Sequence, residues 1–96
     1  MAFRVNITGA AKSDLIEILD YIAVDNPARA VSFVDELQRR TKSILERLPK
    51  SGRVYRDATR YIVVANYVVL YDIEDAKKTV NVLHIFAPGR NWREVV

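Results

Sequence analysis

Arginines dominate the residues whose chemistry could serve a function. Arg53 and Arg56 lie close together, Arg60 opens an apolar run, and Arg90 follows the last such run. A planar guanidinium grips phosphate or carboxylate through paired hydrogen bonds. Adjacent antiparallel strands would bring Arg60 and Arg90 to one rim of a sheet. Loop charges that keep the chain soluble are the competing reading, and residue types alone lean slightly toward it. His84, the single histidine, interrupts the apolar run from Val82 to Ile85. Such a histidine is usually a satisfied core or edge residue; the alternative is recognition or proton transfer. Asp14, Glu17 and Asp20 read as the water-facing side of a helix in preference to an acid–base pair. Asp72, Glu74 and Asp75 belong to a turn or its margin.

Other chemistries are bounded by what the chain lacks. It has no cysteine, which removes disulfides and thiolate–metal sites and suits a reducing cytoplasm, the location expected here. No glycine-rich phosphate loop, nucleophile elbow or zinc-binding His-Glu-x-x-His occurs. One histidine cannot build a multi-histidine metal site, so neither metal nor cofactor is expected. Met1 to Asn6 lacks the pattern of a signal peptide. The longest apolar stretch, Tyr61 to Tyr71, is far short of the roughly 20 residues that span a bilayer. No membrane partner is expected, and 1–96 reads as one domain.

The net charge of +3 is unevenly spread. Residues 39–60 carry eight basic and two acidic side chains, whereas residues 1–38 carry three basic and six acidic. Such a basic block attracts acidic protein segments or nucleic acid, or else is a solvated helix face and loop.

The elements that must position these groups follow from periodicity. Phe3 to Ile7 alternates like a half-buried strand. Thr8 suits a helix cap, and Ala11, Leu15, Ile18, Leu19 and Ile22 form one helical stripe. Asn26-Pro27 combines a good N-cap with the residue best tolerated at the first helical position. The second helix carries Ala30, Val34, Leu37, Thr41, Ile44, Leu45 and Leu48 on one side, and Pro49 and Gly52 end it. Arg53 and Arg56 then fall in a loop. Arg60 to Val64, Tyr67 to Ile73 and Thr79 to Phe86 read as strands, with a tight turn at Ala65-Asn66 and a stop at Pro88-Gly89. The expected fold is α+β, β-α-α-β-β-β. A helical hairpin packs on one face of a mostly antiparallel four-stranded sheet, and the other face stays partly open.

A wider pattern runs through these segments. Ala11-x-x-Asp14-Leu15-x-x-Ile18-x-x-Tyr21-Ile22 precedes Asn26-Pro27-x-x-Ala30 and Leu48-Pro49-x-x-Gly52. Arg60-Tyr61, Tyr67-Val68-Val69-Leu70-Tyr71 and Val82-Leu83-His84-Ile85-Phe86 follow, with Arg90 beyond. Over nearly the whole chain this resembles the RelE/ParE superfamily of toxins from bacterial type II toxin–antitoxin systems, and its ParE-like branch in particular. The resemblance implies the same fold and a cytoplasmic toxin. It also implies a cognate antitoxin that wraps an acidic amphipathic segment around the toxin. ParE-like members inhibit DNA gyrase by binding and serve plasmid stabilization; RelE-like members cut mRNA on the ribosome. Arg53, Arg56, Arg60, Arg90, Trp92 and Arg93 are the residues expected to bind target or antitoxin. A nuclease would have to use Arg60, Arg90 and His84, because beyond Arg90 there is no Tyr, His or Lys. An arginine is a poor general base, which favours a binding toxin. A stand-alone nucleic-acid-binding module is a third reading. The two helices between the first and second strands count against the double-stranded-RNA-binding order.

Overall fold

The computed structural model describes residues 2–89 and 91–94. Five strands form one sheet: β1 (Arg4–Ile7), β2 (Arg53–Arg56), β3 (Thr59–Val64), β4 (Tyr67–Glu74) and β5 (Thr79–Phe86). Their spatial order is β1-β5-β4-β3-β2. β1 pairs parallel with β5 and the other pairings are antiparallel. Helices α1 (Gly9–Ala23) and α2 (Pro27–Arg47) form the expected hairpin on one face.

The sheet has five strands, not four. The extra one is β2, where a loop was expected. Its four residues pair with β3 through a bulge between Val54 and Arg56, and Asp57 takes a left-handed backbone at φ 48° to turn the chain. An edge strand this short, with arginine at both ends, has no readable alternation. The β3–β4 hairpin turns as its residues suggest. Ala65 and Asn66 both adopt positive φ, 51° and 70°, the geometry of a two-residue turn matched to strand twist.

Both helices begin at their anticipated caps. Thr8 Oγ1 accepts from the Ala11 amide at 3.3 Å and donates to the Val82 carbonyl at 2.7 Å, so the cap also ties α1 to β5. Asn26 Oδ1 accepts from the Arg29 amide at 3.0 Å, with Pro27 in the first turn. The core lies between the hairpin and the sheet, with Ala11, Leu15, Leu37, Leu45, Val69, Tyr71, Val80 and Val82 at its centre. Ile22, Val34 and Ile44 are only partly buried against it. Leu48, expected on the buried stripe, is 57% exposed, because α2 ends at Arg47 and Leu48 is its C-cap. Among the described residues no helix is long and apolar enough to cross a membrane.

Candidate functional site

Strand alternation divides the basic residues between two faces. On β3, Arg60 shares parity with Ile62 and Val64 and stands across from Tyr71, which is fully buried beneath the helices. Its guanidinium is therefore turned toward the helix side. Nη1 donates to the Gly52 carbonyl at 2.9 Å and to the Lys50 carbonyl at 3.3 Å, tying down the chain between α2 and β2. Tyr61 has the opposite parity. It joins Tyr55, Val68, Leu70, Leu83, Phe86 and Trp92 in a second apolar cluster on the face the helices leave open. Arg53 stands across from Tyr61 on that face.

Trp92 is the centre of this cluster. It is 5% exposed and meets Tyr55 edge-on at 4.9 Å, Tyr61 at 5.2 Å and Phe86 at 6.3 Å. Two arginines lie over the rings. Arg93 sits 4.5 Å above Trp92 and 5.5 Å from Tyr61, and donates to the Tyr61 hydroxyl at 3.3 Å. Arg56 sits 5.1 Å above Tyr55 and donates to its hydroxyl at 3.1 Å. The Tyr55 hydroxyl in turn donates to the Arg93 carbonyl at 3.2 Å. Ring quadrupoles hold both guanidinia by cation–π attraction and fix their heads at the surface. Among the described residues, Arg53, Arg56 and Arg93 form no ion pair with a carboxylate. Their positive charge is thus unneutralised and gathered beside one aromatic cluster. Elsewhere in the basic block, Arg39 pairs with Asp35 and Lys50 with Asp75 at the surface.

His84 lies at the opposite side of the sheet's centre, on β5. It stands across from Leu70 and stacks on Phe86 at 5.4 Å, so it belongs to the open face. β1 ends opposite Val82 and leaves the outer edge of β5 without a neighbouring strand beyond that point. Asp14 of α1 fills this gap. Its Oδ2 accepts from the Ile85 amide at 2.9 Å and from His84 Nδ1 at 3.0 Å. A carboxylate only accepts, so Nδ1 carries the proton. Asp14 was expected to face water, yet its side chain is 20% exposed because it stands in for a missing strand partner. The signal was in the sequence: Asp14 follows Ala11 by three and precedes Ile18 by four, both on the buried stripe.

Of the anticipated site residues, the fold brings Arg53, Arg56, Trp92 and Arg93 together on the open face. It turns Arg60 to the other face. Arg90 lies outside the described residues. Tyr55, Tyr61 and Phe86, the rings that carry the site, were not anticipated; the alternation of β3 that puts Tyr61 opposite Ile62 was the available clue. No group of metal-ligating side chains occurs among the described residues.

Solved structures share this fold at low sequence identity. The toxin–antitoxin complex RelBE2 of Mycobacterium tuberculosis superposes with a TM-score of 0.72 at 22% identity, covering 94% of this chain and 95% of that one. A chain of the chromosomal ParDE system of Pseudomonas aeruginosa gives 0.75 at 17%, covering 91% and 97%. The isolated RelE toxin of E. coli gives 0.64 at 14%, covering 98% and 95%. No curated protein matches the sequence. Residues 5–92 match the family model described as the ParE toxin of type II toxin–antitoxin system, parDE, and so the chain, from its first strand to Trp92, belongs to the ParE toxin family.

Proposed function

We propose that this ParE-family toxin acts by binding, that its target is DNA gyrase, and that a cognate antitoxin neutralises it. The observation that carries this reading is the division of the cations. Two of the residues a nuclease would need, Arg60 and His84, are not brought together: Arg60 is spent on the Gly52 and Lys50 carbonyls on the helix side, while His84 is held by Asp14 on the open face. The unneutralised guanidinia instead border an aromatic cluster, the composition of an energetically focused protein interface. The solved relatives include toxin–antitoxin complexes, which supports an antitoxin here. An acidic amphipathic segment is the complement of this face.

A second reading, a ribosome-dependent endoribonuclease, draws on one specific contact. Asp14 accepts from Nδ1, so in the neutral ring Nε2 is the acceptor, the arrangement of an oriented general base. One pair of assays separates the two. Gyrase supercoiling and a ribosome programmed with mRNA are run with wild type, His84→Gln and Arg93→Ala, each confirmed folded. The binding toxin inhibits supercoiling, tolerates His84→Gln and loses potency in Arg93→Ala. Codon-positioned cleavage abolished by His84→Gln would overturn it, since general acid–base groups contribute about 10²–10⁴-fold. The antitoxin is tested by co-expression with the neighbouring gene. A product that neither binds nor relieves toxicity removes that part of the reading.

A further inference from the structure

The seam where α1 crosses the unpaired edge of β5 encloses a cleft of about 400 Å³. Ile18, Ile85, Ala87 and Pro88 make its apolar floor, Tyr21 and Tyr67 its aromatic walls, and Asp14 and Glu17 its acidic rim. Ile18, Ile85 and Tyr67 all pack with the main core, so the cleft lies on the helix side, away from the exposed arginines. Much of it is held in place before anything binds. The Tyr67 ring packs on Phe33 at 5.4 Å, and Asp14 is fixed by the Ile85 amide and His84. Asp14 spends one oxygen on those contacts. Its Oδ1, and both oxygens of Glu17, make no hydrogen bond or ion pair among the described residues.

We infer that this cleft receives an arginine side chain from a partner protein. A planar guanidinium takes up carboxylates through paired donors and lies flat on a tyrosine ring, while its methylene stem covers an apolar floor. The cleft supplies all three surfaces. Phosphate-bearing ligands are repelled by the two carboxylates, which rules against nucleic acid at this place. The occupant is a protein side chain rather than a free polyamine, because an ammonium is a strongly hydrated point charge without the flat face that two tyrosine walls select. The cleft touches the open face only through the Asp14–His84 hydrogen bond and uses none of its arginines, so its failure would leave the gyrase reading untouched.

The test uses purified wild-type protein and backbone amide NMR, titrated with the blocked dipeptide analogue N-acetyl-arginine-N-methylamide. Saturable shifts are expected at Ile18, Ile85 and Ala87. The citrulline analogue, which keeps the shape and loses the charge, should bind at least fivefold more weakly. Glu17→Gln, an exposed helical change that leaves the fold intact, should weaken arginine binding about two- to fivefold, and Tyr21→Ala should do so to a similar degree. Four outcomes overturn the proposal: no saturable shifts at these amides, citrulline binding equal to arginine, spermidine binding as tightly as the arginine analogue, or binding that appears only in Arg90→Ala, which would make the cleft a site for this chain's own arginine.

Discussion

Single groups set the tolerance of the molecule to substitution and pH. Tyr71 is fully buried, and its hydroxyl accepts the Gly52 amide hydrogen bond at 2.9 Å. Burial raises the Tyr71 pKa above its ordinary value of 10.0, against the opposing pull of the Gly52 bond and the Arg60 charge. A phenol whose folded pKa is raised adds stability that is complete below its unfolded pKa and is lost as pH climbs through the folded value. Urea midpoints should therefore fall above about pH 10. Tyr67 is shifted the same way by its own burial, so Tyr71→Phe should remove only part of this alkaline slope. At neutral pH the same change should cost about 1–3 kcal/mol, because a buried amide loses its acceptor. Arg60→Ala should lower stability by about 1–2 kcal/mol through loss of its two charge-assisted bonds to backbone carbonyls. A fall in toxicity without any fall in the urea midpoint would return Arg60 to the binding surface.

Elements show most plainly what the sequence could and could not reveal. α2 carries Thr41 on its buried side, 0% exposed, and its hydroxyl finds no partner among the described residues. Thr41→Val keeps the shape and removes that unmet polar group, so the thermal midpoint should rise by a few degrees, consistent with about 1 kcal/mol. Leu37, on the same stripe and 0% exposed, gives the opposite case: Leu37→Asp should abolish cooperative unfolding, since it places an unpaired charge in the core. Helix stripes and caps were legible because their period and end residues are strong local signals. The Ala65-Asn66 turn was legible for the same reason. β2 was not, since four residues at a sheet edge owe their conformation to pairing with β3 and not to any pattern of their own. Asp14 was misplaced because a carboxylate reads as solvated until the neighbouring edge of β5 is seen to lack a partner. The open-face cluster required knowing which parity of β3 faces the helices. Arg60, Ile62 and Val64 settle that, but only once the hairpin packs.

At the scale of the whole molecule the open face is divided by charge. Arg53 and Arg56 stand on the edge strand β2 with Arg93 close by, whereas Asp72 and Glu74 stand on β4, one strand in from β3, bridged by Asn81 at 3.1 and 2.7 Å. Asn81 Oδ1 also accepts from Asn6 Nδ2 at 3.0 Å, which carries this polar row onto β1. Such a bipolar face orients a charged partner before contact, and steering of this kind is screened by salt. Association with a neutralising antitoxin should slow as sodium chloride is raised from about 50 to 300 mM. Replacing Arg53, Arg56 and Arg93 by Gln should flatten that dependence while changing the dissociation rate less, as stopped-flow fluorescence of Trp92 would show. The pairing of β1 with β5 adds a consequence in time. Arg4 stands beside Thr79, and β5 is at once the partner of β1, the neighbour of β4 and the anchor of α1 through Thr8 and Asp14. Contacts between the two ends of a chain form only after the intervening segment exists. A ribosome making this protein must therefore synthesise everything through β5 before the sheet can close. The synthesis of β5 works as a safety catch, and a chain stopped at Lys78 should show no cooperative unfolding transition and no toxicity.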